Sequence, residues 1–102
     1  MTDDELLKLI GVQRSLMEAV AIGGRKIEDV NQLYIEQRDR ILRELRSRNL
    51  KDPNPHEDLW AWSGRWSIGD LGSWSERRAY LVEMYQPIFD EIRHTASNVR
   101  IV

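Results

Sequence analysis

The sequence predicts an all-α fold: a small single-domain bundle of three long helices plus a short tryptophan-bearing helix. Three observations carry this. Apolar residues recur at helical spacing in three long segments, those segments are separated by Gly and Pro stops, and the Ser67–Gly72 stretch reads as a loop and not a strand. At 102 residues the chain has room for one core, placed in residues 1–98, with an apolar tail over residues 99–102.

Each element has its own local reason. Thr2-Asp-Asp-Glu5 matches a capping box, and Leu6, Leu9/Ile10, Leu16/Met17 and Val20 then form a stripe. Gly23-Gly24 stops it, so the first helix is expected over about residues 3–22. A second helix is expected from Lys26 to Asn49 on the stripe Ile27, Val30, Leu33/Tyr34, Ile41/Leu42 and Leu45, interrupted by Gln37. Asp52-Pro-Asn-Pro55 ends it, because proline lacks a donor and holds its predecessor extended. The same turn predicts the next start, with Asn54 as N-cap, Pro55 in first position and Glu57 completing a box. Leu59, Trp62 and Trp66 share a face of this short helix, which should end near Trp66. Ser67–Gly72 reads as a compact loop, and Ser73-Trp-Ser-Glu76 is a third capping box. The last stripe is Trp74, Leu81, Tyr85, Ile88 and Ile92, flanked by Val82, Met84 and Phe89. Pro87 inside it should kink or split the helix.

All four tryptophans fall between Trp60 and Trp74. Fully buried, they would contribute a gross ~15–25 kcal/mol at about 25 cal/mol per Å². Ordering fifteen residues costs roughly 20 kcal/mol. The segment is thus expected to be ordered only if most of the indoles are inside, an aromatic keystone between helices. The competing reading is a surface recognition platform.

Bulk properties exclude several function classes. Without cysteine there are no disulfides, thiolate metal sites or thiol nucleophiles. The acidic N-terminus is unlike a secretory signal, and no apolar stretch approaches the ~20 residues of a membrane span, so no membrane partner is expected and the cytoplasm is the default location. No catalytic, cofactor or metal residue is assigned. Glu91-Ile-Arg-His94 has the Glu-x-x-His spacing of di-iron bundles, but Pro53 stands three before His56, so the second pair is missing. The Arg-x4–6-His ribonuclease spacing also fails at both histidines, and His56, near a helix start, is expected at the surface.

Two surfaces remain. Arg65, Arg77 and Arg78 sit among the tryptophans, with Asp70 as a nearby anion. They either lock the loop by stacking and pairing, or join Trp60, Trp66 and Trp74 in a partner-binding hot spot. The second is a basic face, Arg38 to Lys51, in which Arg40, Arg43, Arg46, Arg48 and Lys51 are candidate phosphate contacts that Arg65, Arg77 and Arg78 would extend. A solvated helix face with Glu36–Arg40 and Asp39–Arg43 pairs is the plainer reading, and the net charge of −2 favours it.

The run Asp52-Pro-Asn-Pro-His-Glu-Asp-Leu-Trp60-Ala-Trp62-Ser-Gly-Arg-Trp66, then Gly69-Asp-Leu, Arg77-Arg78-Ala-Tyr80 and Tyr85-Gln-Pro-Ile88, resembles a segment in N-terminal regions of bacterial abortive-infection-type phage-defence proteins. The likeness spans roughly residues 20–93. In such proteins the killing activity is thought to reside in a separate C-terminal domain. The resemblance therefore implies a recognition, regulatory or assembly module, and no catalytic residue is carried over. The expected function is a small helical module acting by protein–protein contact or self-association, with nucleic-acid binding through the basic face as the alternative.

Overall fold

The computed structural model describes the backbone of residues 1–101 and the side chains of residues 1–94. Four helices follow in order: α1 (Asp3–Ala21), α2 (Ile27–Ser47), α3 (Leu59–Ser67) and α4 (Trp74–Ile101). Among the described residues there is no strand. The side chains of the expected 99–102 tail lie outside the described residues.

The starts and stops are local chemistry. Thr2 accepts from the Glu5 amide at 3.1 Å, satisfying a donor that the first turn of α1 leaves free. Ser73 Oγ accepts from the Glu76 amide at 3.1 Å and bonds the Glu76 carboxylate at 3.1 Å, opening α4. The first three helices close on one motif, in which the amide after a left-handed residue reaches back five positions. Gly24 N donates to Ala19 O at 2.8 Å, Leu50 N to Leu45 O at 2.8 Å and Asp70 N to Arg65 O at 3.0 Å. The left-handed residues are Gly23, Asn49 and Gly69.

Helix α1 is central and packs on each of the other three. Asp3 pairs with Arg48 and Gln13 bonds Tyr34, so α1 and α2 are antiparallel. Glu18 pairs with Arg78 at 3.0 Å and Gln13 meets Tyr85, so α4 also runs antiparallel to α1. Among the described residues the backbones of α2 and α4 do not approach each other. Residues 50–58 run between them instead, threading a Pro-Asn-Pro segment through the gap. The core is Leu6, Ile10, Leu16, Met17, Val20, Val30, Tyr34, Ile41, Leu45, Leu59, Trp62, Leu81, Tyr85, Ile88, Phe89 and Ile92, with Ala21.

That threaded segment overturns three expectations. Asn54 is not the N-cap of α3; it is 2% exposed, and Asp58 caps the helix by accepting from Ala61 N at 2.7 Å. Glu57 therefore completes no box. His56 is not at the surface but 6% exposed. Pro53 and Pro55 hold Asp52 and Asn54 extended, and Asp58 is extended as the N-cap, so Asn54 and His56 have already turned inward when the helix begins.

Asn54 is the hub of a polar core with complete proton accounting. Its two Nδ2 hydrogens go to the Tyr34 hydroxyl (2.8 Å) and the Tyr85 hydroxyl (3.1 Å), and its Oδ1 accepts from His56 N (3.0 Å). Tyr34 then donates to His56 O at 2.6 Å, and Tyr85 to Gln13 Oε1 at 3.0 Å. Each hydroxyl accepts once and donates once, so the amide orientation is fixed by the network. Burial pushes the Tyr34 phenol up to about 12 and the Tyr85 phenol further up, so both remain donors at neutral pH.

Two smaller findings concern α4. Pro87 does not split the helix, which runs unbroken through it. The proline is exposed, as is Glu83, whose carbonyl loses its partner, so water can serve that group. Trp74 belongs to no core stripe; it is 58% exposed.

Candidate functional site

The α3–α4 connection joins the tryptophans to the arginines. Trp62 is the inner member: fully buried, it donates Nε1–H to Met17 O at 2.9 Å and stacks on Tyr80 with ring centroids 5.4 Å apart. Trp66 meets it edge-on at 5.1 Å and is half-buried. The other two indoles face outward, Trp60 at 56% and Trp74 at 58% exposure, and Ile68 between them in sequence is 82% exposed. The expectation that most indoles must be inside to order the segment is therefore corrected.

Polar and cationic groups do that ordering. Arg65 Nε donates to Asp70 at 2.7 Å while its guanidinium lies 4.5 Å over the Tyr80 ring, and the ion pair raises the already high Arg65 pKa. The pair follows from the helix-closing motif. Residues 65 and 70 are the two positions whose backbones meet there, and charge replaces the usual apolar contact between them. Arg77 lies 4.5 Å over Trp66 and donates to Leu71 O at 2.9 Å and Ala21 O at 2.8 Å, tying the loop to the end of α1. Arg78 turns away from the loop to Glu18.

His56 sits beneath this frame. Its Nε2 shares a 2.8 Å hydrogen bond with the Tyr80 hydroxyl, and its ring centroid is 5.3 Å from that of Trp62. Burial, with the positive charges of Arg65 and Arg38, holds its pKa down to about 4. The ring is neutral at pH 7 and acts as a strut.

On the basic face, Arg40, Arg43 and Arg46 are exposed and Lys51 is exposed beyond the helix. The expected Glu36–Arg40 and Asp39–Arg43 pairs do not form, because solvated side chains gain little by closing on each other. Arg48 is committed elsewhere: it pairs with Asp3, donates to Met1 O at 2.8 Å and lies 3.9 Å from Glu44. The structure thus separates Arg48 from the other candidate phosphate contacts. Among the described residues no cluster of three or more metal-ligating side chains exists, and no helix is long and apolar enough to cross a membrane.

Sequence reasoning passed over two sets of residues. Ile68 escaped notice because it ends α3 outside any stripe, although an isoleucine beside a turn glycine is a readable signal. The Gln13–Tyr34–Asn54–Tyr85 network had no local signal, since its members lie 20 to 72 positions apart. In comparisons with known proteins, no family model, no curated protein and no solved structure matches this chain. What the geometry itself defines is an all-α fold of four helices in which α2 and α4 each run antiparallel to the central α1, with a threaded loop between them and two indoles and Ile68 facing outward around α3.

Proposed function

We propose that this chain is a small helical interaction module acting by protein–protein contact, with Trp60, Ile68 and Trp74 as its contact residues and a second copy of itself as occupant. Arg65, Trp66, Asp70 and Arg77 are the frame, and Arg78 lies at the edge. One observation carries the reading: three large apolar side chains stand exposed on a segment whose backbone is pinned by an ion pair and two stacked guanidinium groups. A pre-ordered indole loses little freedom on binding, which is why tryptophan dominates interface energetics.

At these exposures the three residues together expose about 400 Å² of mostly apolar surface, within the range of the largest apolar patch on a typical monomer, which is often functional. A standard interface takes about 800 Å² per partner, a little over half of it apolar, so this is a sufficient centre for one. A net charge of −2 sets up little repulsion between copies. The resemblance over residues 20–93 supports an assembly role linked to bacterial phage defence as part of the same proposal. Sedimentation equilibrium tests it. The full chain should dimerise in the micromolar range, and Trp60→Ser with Trp74→Ser should be monomeric at an unchanged urea midpoint. A chain that stays monomeric at millimolar concentration overturns the reading.

A second reading, nucleic-acid binding, is favoured by the exposure of Arg40, Arg43 and Arg46 without acidic partners. It requires duplex affinity to fall steeply between 50 and 200 mM salt, as about three phosphate contacts dictate. Unchanged affinity in Arg43→Glu with Arg46→Glu removes it.

A further inference from the structure

A cleft of about 460 Å³ lies where α2 ends and the threaded loop begins. Its apolar wall is Leu42, Leu45 and Leu50; the last two are brought together by the helix-closing bond from Leu50 N to Leu45 O. Around that wall stand Arg38, Arg46 and Lys51 against one carboxylate, Asp52, a surplus of two positive charges. The volume falls within the range of small-molecule sites. The last carbonyls of α2 do not oppose an anion as bare acceptors, since Glu44, Leu45 and Arg46 O take the amides of Arg48, Asn49 and Leu50.

Two polar atoms in this lining have no partner: Arg38 Nε, a donor, and Asp52 Oδ2, an acceptor. Other atoms of both groups hold the threaded loop. Asp52 Oδ1 accepts from Asn54 N at 2.9 Å, and an Arg38 Nη2 hydrogen points to Asn54 O at 3.5 Å. A buried, unpaired polar group costs about 1–3 kcal/mol, so a ligand that reaches either atom from the cleft relieves that cost. The adjacent Asn54 leaves no atom unpaired; of the buried side-chain atoms without a partner, Arg38 Nε and Asp52 Oδ2 belong to the cleft lining, and Gln37 Oε1 and Arg48 Nε lie outside it.

We propose that this cleft binds a small organic phosphate whose neutral body carries an O–H or N–H donor. A phosphate monoester bears close to two negative charges at neutral pH, matching the cationic surplus. Lys51 and Arg46, both exposed at the mouth, take the phosphate oxygens. Arg38 Nε donates to a further acceptor, Asp52 Oδ2 receives the donor, and the leucines cover the carbon skeleton. The carboxylate is what separates this site from a general anion patch, because it repels a phosphate group placed beside it and accepts from a hydroxyl or amine set back from the phosphate on the ligand's body.

Calorimetric titration of the full chain at 150 mM salt tests this with four probes: inorganic phosphate, glycerol 3-phosphate, adenosine 5′-monophosphate and a short single-stranded oligonucleotide. Glycerol 3-phosphate or adenosine monophosphate should bind at least tenfold more tightly than inorganic phosphate, and whichever is preferred assigns a compact or a nucleotide-sized body. Lys51→Glu, an exposed site that leaves the fold intact, should weaken that binding tenfold or more. Asp52→Asn keeps the acceptor for Asn54 N and should bring the organic phosphates down to the level of inorganic phosphate. Equal affinity for all three small phosphates overturns the proposal, as does indifference to Lys51→Glu. Tighter binding of the oligonucleotide with a steep salt dependence also overturns it, by assigning these cations to a phosphate backbone.

Discussion

The two connections that flank α3 are built inside out relative to each other. The one before it is polar and lies inside, with Asn54 at 2% and His56 at 6% exposure. The one after it carries Ile68 at 82% and Trp74 at 58%, facing water. Hydropathy alone would place them the other way round. The difference is where partners are available. Asn54 finds two phenols and a backbone amide in the gap between α2 and α4, so its desolvation is offset bond for bond. Ile68 and Trp74 find no unfilled apolar space, because Trp62, Trp66 and Tyr80 already occupy that corner. Burial follows complementarity, and an exposed apolar group on a rigid frame is where function is best sought.

Substitutions break or sharpen this contrast in order of size. Trp62→Ala should be the most damaging, costing about 3–5 kcal/mol of unfolding free energy in urea, since it opens a cavity and removes the indole's hydrogen bond to Met17 O. Asn54→Ala should follow at about 3 kcal/mol, because it leaves two hydroxyls and one amide short of partners. A loss below about 1 kcal/mol would mean that the threaded loop is not held by this hub.

Acid probes the same connection. His56 is depressed in the folded state to about 4 from an ordinary 6.5, so between those values the unfolded chain binds more protons. The stabilisation is therefore full above pH 6.5 and is lost as pH falls toward 4, to an extent of up to about 3 kcal/mol. Urea midpoints at pH 7 and pH 4.5 measure it, and His56→Gln should flatten the dependence. On the outer connection, Arg77→Ala should cost about 1–2 kcal/mol for two carbonyl contacts and one ring contact. Trp60→Ala and Trp74→Ala should each stay within about 0.5 kcal/mol in the monomer, as exposed substitutions do. If either matches Trp62→Ala, the contrast between inner and outer indoles fails.

Part of the outer connection was legible in the chain. An arginine five residues before an aspartate across a glycine stop is a local pattern, whereas the stacking of Arg77 on Trp66, eleven positions earlier, is not. The structure shows Arg65 paired with Asp70 and Arg77 on Trp66. The division of the tryptophans was not legible. Positions 60, 62, 66 and 74 differ in burial because of Met17, Ala21 and Tyr80, none of which is fixed by the sequence around the indoles.

The amino-acid sequence by itself determined the helices and most of their ends, the start of α3 excepted, because capping, glycine stops and apolar periodicity act over three to five residues. Thr2, Ser73, Gly23 and Gly69 do their work in the local chain. Only the tertiary structure decided that Asn54 is a hub and not a cap, that His56 is a buried neutral strut, and that two indoles stand outside. Those outcomes depend on groups 20 or more positions away, and a polar side chain goes inside only where distant partners can replace the water it gives up.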